Sequence, residues 1–138
     1  MDLRYGTLAD LARNVHAGRP VDLRAAHVNA IWQGDANSYA FRALDLCEAP
    51  ARPLVVTGPE VVAVRAAAEA FGERFGRPPT FTGEPGPALL GDPARCVALL
   101  GKPEVPLARL LDWVVAWVAG GGRSLGRLTH FEATDGRF

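Results

Sequence analysis

The sequence predicts an α/β domain of about four to five helices with a few short strands. Two observations carry this. Segments with the 3.6-residue apolar period of a helix alternate with short β-branched runs. The composition is that of a folded chain, with 49% hydrophobic and 22% charged residues among 138, enough to bury roughly two thirds of the unfolded surface in one domain. The strands are few and short, so the sheet they build is thin. Residues 1–138 are expected to form that single domain, with 119–138 as an irregular tail.

The elements follow in chain order. In "GTLADLARNVHAG", Leu8, Leu11, Ala12 and Val15 keep the i, i+3, i+4, i+7 spacing of one helical face. Thr7 is placed to cap this helix, with Asp10 in its first turn, and Gly18 with Pro20 ends it. "VDL" reads as a short extended piece and "HVNAIWQ" as a strand. A second helix is expected from Asp35 to about Ala49, burying Ala36, Ala40, Ala43 and Cys47. There Asp35 accepts the free amides of the first turn, a cap worth about 1 kcal/mol. "RPLVVTGPE" is the strongest strand signal. In the helix that follows, Val64, Ala67, Ala68, Phe71 and Phe75 make the face, and Gly76 ends it. "TFT" is a third strand. "GDPARCVALLG" is a small helix capped by Asp92 and stopped at Gly101. "PLARLLDWVVAWVAGGG" starts at Pro106, and Leu107, Leu110, Leu111, Val114, Val115 and Val118 cover a wide arc that Trp113 and Trp117 widen further.

Charge and composition exclude several functions. Fifteen basic residues balance fifteen acidic ones, so no field of one sign draws nucleic acid or an anionic membrane. No apolar run reaches the roughly 18 residues that span a bilayer, the start is too polar for a signal peptide, and a cytoplasmic location is expected. Cys47 and Cys96 read as small buried hydrophobes. His16, His27 and His130 lack metal-ligand spacing, so no metal site is expected. "GGGRSLG" follows a helix instead of opening one, which suits a helix stop rather than a phosphate loop. In "TFTGEPGPALLG", Pro85 and Pro87 remove backbone donors and Leu89 stands where a dinucleotide loop needs glycine. No G-x-S-x-G stretch is present.

The order of these blocks resembles the C-terminal half of the extended short-chain dehydrogenase/reductases, the NAD-dependent epimerase/dehydratase group. "LRYGTLADLARNVHAGRPVDL" looks like the helix past that family's last nucleotide-domain core strand. "HVNAIWQGDANSYAFRAL" resembles its strand ending in Asp before an Ala-rich helix, with Asp35 at the motif aspartate. "PLVVTGPEVVAVRAAAEAFGERFGRPPTF" resembles the strand, turn and helix that follow. "GDPARCVALLGKPEVPLARLLDWVVAWV" is similar to the closing segment, and the likeness ends near Val118.

The resemblance implies an NAD(P)-dependent parent enzyme that binds its cofactor through an N-terminal glycine loop and moves protons with a Tyr-x-x-x-Lys pair. Here Tyr5 is followed four positions later by Ala9 and Tyr39 by Ala43, and Lys102 is the only lysine beside 14 arginines. No catalytic residue, cofactor contact or metal ligand is therefore expected in this chain. It reads as an excised or truncated substrate-binding part, not catalytic alone. In the family this half shapes the substrate cleft, which nominates Arg4, Tyr5, Asn29, Trp32 and Gln33 as contacts to a small molecule, a nucleotide sugar being the commonest theme. The competing reading is a stand-alone, non-catalytic interaction module on the same scaffold. The wide apolar arc of the last helix calls for cover and leads to an expected homo-oligomer.

Overall fold

A computed structural model of the chain describes residues 1–127 and 129–131. Its elements are α1 (Thr7–His16), β1 (Val21–Asp22), β2 (His27–Val28), α2 (Gln33–Arg42) running into a 3-10 turn (Ala43–Leu46), β3 (Val62–Ala63), α3 (Val64–Phe75), β4 (Phe81–Thr82), α4 (Ala94–Leu100) and α5 (Leu107–Ala119). Five helices with short strands make the α/β class expected from the sequence.

Helices α1, α3 and α5 meet in one core. Leu8, Leu11, Ala12 and Val15 of α1 face Val64, Ala67, Ala68 and Phe71 of α3 and Leu110, Val114 and Val118 of α5. The strands close one side. β1 pairs parallel with β4, Val21 opposite Phe81, and β2 pairs antiparallel with β3, His27 opposite Ala63. Gly18 (φ 68°) and Gly76 (φ 63°) end α1 and α3 in the left-handed conformation. The amides of Gly18 and Arg19 return to the carbonyls of Val15 and Asn14, and those of Gly76 and Arg77 to Glu73 and Gly72. These paired bonds satisfy carbonyls that a helix end otherwise leaves open.

A smaller core joins α2 to α4 through Ile31, Tyr39, Cys96 and Leu100, with Leu54 packed against it.

Several expectations are corrected. Gly6, not Thr7, precedes α1, and Thr7 is already helical. α2 starts two residues earlier than Asp35, because the Gln33 amide bonds to the carbonyl of Met1 and the helix opens without a side-chain cap. Its α-helical part stops at Arg42, and its buried residues are Asp35 and Tyr39 rather than the small-residue face; Ala40 and Cys47 are exposed. The strand in "HVNAIWQ" is limited to His27–Val28. The run 53–57 is not a strand at all: Val55 and Val56 stand 48% and 37% exposed. A β-branched run becomes a strand only where a neighbour offers its ladder, and among the described residues none does. In α5 only Leu110, Val114 and Val118 are fully buried. Trp113 nonetheless meets Trp32 edge-on at 5.4 Å, and Trp117 donates to the carbonyl of Arg123. The flank of α5 is therefore covered largely by its own chain.

Candidate functional site

The nominated contacts divide into two places. Residues 1–5 fold against the start of α2, where the Met1 carbonyl accepts the Gln33 amide at 2.8 Å. Within this turn Asp2 and Tyr5 exchange backbone hydrogen bonds. The Arg4 guanidinium grips the Asp2 carboxylate, Nη2 to Oδ2 at 2.7 Å. That grip holds the Asp2 carboxyl down at about 2. Trp32 sets its ring edge-on to Trp113, and Gln33 is exposed as the first residue of α2. Asn29 lies elsewhere and its amide is spent on backbone: Nδ2 donates to Gly58 O (3.1 Å) and Gly91 O (2.8 Å), and Oδ1 accepts from Gly91 N (3.2 Å). It ties two loops together.

Asp35 answers to a different element. It is 7% exposed, and its Oδ2 accepts the backbone amide of Val105 at 3.1 Å. Tyr39 donates its hydroxyl to Gly101 O at 2.6 Å and Arg42 its guanidinium to Leu100 O at 2.6 Å. These positions, i, i+4 and i+7, form one face of α2. The face closes the carbonyl end of α4 and holds the approach to α5. Burial pushes the Tyr39 hydroxyl and the Cys96 thiol up from their ordinary values, so neither is primed to give up its proton. Among the described residues no three His, Cys, Asp or Glu side chains gather as a metal site.

A cleft of about 210 Å³ lies where the strands end, lined by Leu23, Ala26, His27, Ala63, Arg65 and Pro85. The amides of Val21 and Leu23 bond to the carbonyls of Thr80 and Thr82, so Leu23 extends β1 at its carboxyl end. Ligands in open α/β sheets bind outside the carboxyl ends of parallel strands. The Gly83–Pro87 loop presses close here, since a Cβ on Gly86 would stand 2.0 Å from Arg24 O. Arg24 itself is clamped on Asp22, Nη2 to Oδ2 at 2.7 Å.

The cleft is lined mostly by apolar residues, with the Arg65 guanidinium among them. Arg65 occupies the first turn of α3 with its guanidinium 4.2 Å from the Phe81 ring centre. His27 is exposed beside it. A cation in the first turn opposes the helix dipole, unless an anion joins both. That mismatch in "VAVRAAAEAF" is the one sequence signal for this cleft. The rest comes from residues far apart in the chain. Chemically the arrangement can hold an anion next to an apolar group; it presents no paired acid and base and no activated nucleophile.

No family model matches the sequence, and no curated protein matches it. Solved structures do match by fold. The UDP-glucose 4-epimerase of Thermus thermophilus in complex with NAD superposes with a TM-score of 0.62 at 20% identity, over 82% of this chain and 40% of that one. The GDP-mannoheptose C4 reductase of Campylobacter jejuni with NADP bound gives 0.64 at 12% identity, over 86% of this chain and 46% of that one. The UDP-glucuronic acid 4-epimerase of Bacillus cereus in complex with NAD gives 0.59 at 14% identity, over 83% and 39%. The chain thus has the fold of the C-terminal part of such epimerases and reductases, and spans about 40% of the length of the first structures it matches.

Proposed function

We propose that this chain is the substrate-recognition part of an NAD(P)-dependent epimerase- or reductase-like enzyme acting on a nucleoside-diphosphate sugar. One observation carries the proposal: a fold shared with part of NAD- and NADP-bound enzymes that act on UDP- and GDP-linked sugars. On that fold the sequence has no Tyr-x-x-x-Lys pair. The strand-end cleft receives the diphosphate, with Arg65 and the first turn of α3 supplying positive potential. Arg4, Tyr5, Trp32 and Gln33 approach the substrate from the N-terminal corner, and Asn29 positions the loops at Gly58 and Gly91. NAD(P) and the proton-transfer pair belong to a nucleotide-binding part. The chain acts as one recognition domain in a cytoplasmic enzyme; α5 runs to Ala119, and residues 132–138 of the expected tail lie outside the described residues. Among the described residues no helix is long and apolar enough to cross a membrane.

Calorimetric titration tests this. UDP should bind with a dissociation constant on the order of 0.1–1 mM, roughly −4 to −5.5 kcal/mol, and Arg65→Ala should weaken it about tenfold, as loss of a charge-assisted contact does. NAD+ binding at about 10 μM or tighter would overturn the proposal.

The exposed Phe41 (75%) and Leu44 (66%) favour a second reading, an interaction module that dimerises through α2. It predicts self-association with no response to UDP.

A further inference from the structure

A second cavity, of about 300 Å³, lies between the later turns of α1, the turn into β1 and residues 124–127 and 129–131. Asp22 lines it, whereas the next residue, Leu23, lines the strand-end cleft. Successive residues of an extended chain face opposite ways, so the two cavities flank the end of β1 on different sides.

The charges around this cavity are unequally committed. Both carboxylates are already held. Asp10 Oδ2 accepts the Thr129 hydroxyl at 2.7 Å and the Thr129 amide at 3.3 Å, which fastens the later segment onto α1. Asp22 takes the Arg24 guanidinium, and this keeps its carboxyl below the usual range and ionised.

The basic side chains are mostly open. Arg127 and His130 make no hydrogen bond or ion pair among the described residues, and Arg19 is tied through Nε alone, to Asn14 Oδ1 at 3.0 Å. Arg13 donates Nη2 to Leu3 O at 2.9 Å. Its Nη1 is buried without a hydrogen bond, 3.5 Å from Asp10 Oδ1. A buried donor without an acceptor is uncommon in a folded protein. Three arginine side chains line one half-open space, and fork-shaped donors gathered in this way suit an oxyanion with several acceptor oxygens. The volume is at the lower end for small-molecule sites, suited to a small phosphorylated compound.

We infer that this cavity binds a phosphate group, carried by free phosphate or by a small phosphomonoester, at a site distinct from the strand-end cleft. Arg19 and Arg127 hold the phosphate, while Asp10 fixes Thr129 at the edge of the cavity. The site stands whether or not the substrate-recognition proposal holds.

The test is titration of the full chain with inorganic phosphate and with glucose 1-phosphate at constant ionic strength, followed by the arginine side-chain nitrogen signals. Saturable shifts are expected at Arg13, Arg19 and Arg127. Arg19→Ala and Arg127→Ala should each weaken binding about tenfold without changing the melting temperature of the unliganded chain, and Arg65→Ala should leave it unchanged. Tighter binding of glucose 1-phosphate would identify an organic phosphate as the ligand, and equal binding free phosphate; either supports the site. Shifts that stay linear to about 50 mM, beyond any specific affinity, would overturn it. So would equal binding of succinate, or loss of the response in Arg65→Ala alone.

Discussion

Asp35→Ala should destabilise the chain through an element 70 residues away. The buried Asp35 carboxylate accepts one backbone hydrogen bond, from Val105 at 3.1 Å, just before α5. Truncation leaves that amide without its acceptor. A hydrogen bond to a charged group contributes about 1.5–3 kcal/mol, so a loss of about 2 kcal/mol is expected. With a urea slope of about 1–3 kcal/mol per molar, the unfolding midpoint should fall by roughly 0.7–2 M. Asp35→Asn keeps an oxygen in place and should cost less than about 1 kcal/mol. Amide exchange should speed up at Val105 in the Ala variant, since its donor becomes open. An Ala variant within about 0.5 kcal/mol of wild type, the range of an ordinary surface change, would refute the role. An Asn variant as damaging as Ala would show that the charge, not the acceptor, is what matters.

Three further outcomes are expected. Gly58→Ala places a Cβ 1.9 Å from Ala30 O; the backbone must move and the Asn29 bond to Gly58 with it, costing about 2 kcal/mol or more in a denaturant melt. Asp2 has its folded carboxyl lowered to about 2 by Arg4, so this pair contributes stability above about pH 4 that is lost as pH falls towards 2. Arg4→Gln should lower stability at neutral pH and converge with wild type below about pH 2 in acid titrations monitored by circular dichroism. Phe41, Leu44, Val61 and Leu99 are exposed apolar residues, and patches of a few hundred Å² find partners. Light scattering should give more than the 14.7 kDa of one chain at micromolar concentration, and Phe41→Asp with Leu44→Asp should return it to one chain.

Helices α1 and α3 are legible because each carries its own periodicity, whereas the small-residue face expected of α2 is not the one it buries. The spacing of Leu8, Leu11, Ala12 and Val15, and of Val64, Ala67, Ala68 and Phe71, identifies the faces that become the core. The strands are less so. "PLVV" has every local property of a strand, but pairing is a property of neighbours, and its valines stay exposed. Asp35 reads as a cap because an Asp at a strand-to-helix junction usually is one; its partner, Val105, leaves no mark near it in sequence. Asn29 reads as available for a ligand for the same reason, since the carbonyls of Gly58 and Gly91 that use its amide lie far along the chain. Both cavities at the end of β1 are assembled from separate segments, so single residues such as Arg65 and Arg13 give only weak hints.

Substrate recognition without cofactor binding is tested most directly by amide spectra of the chain titrated with UDP-glucose and, separately, with NAD+. UDP-glucose should shift the amides of Leu23, Ala26, His27, Ala63 and Arg65, the residues around the strand-end cleft, with saturation near 1 mM or below, while NAD+ binds at least about tenfold more weakly. Saturating shifts for NAD+ at tens of micromolar, or UDP-glucose shifts confined to other surfaces, would contradict the assignment of this cleft.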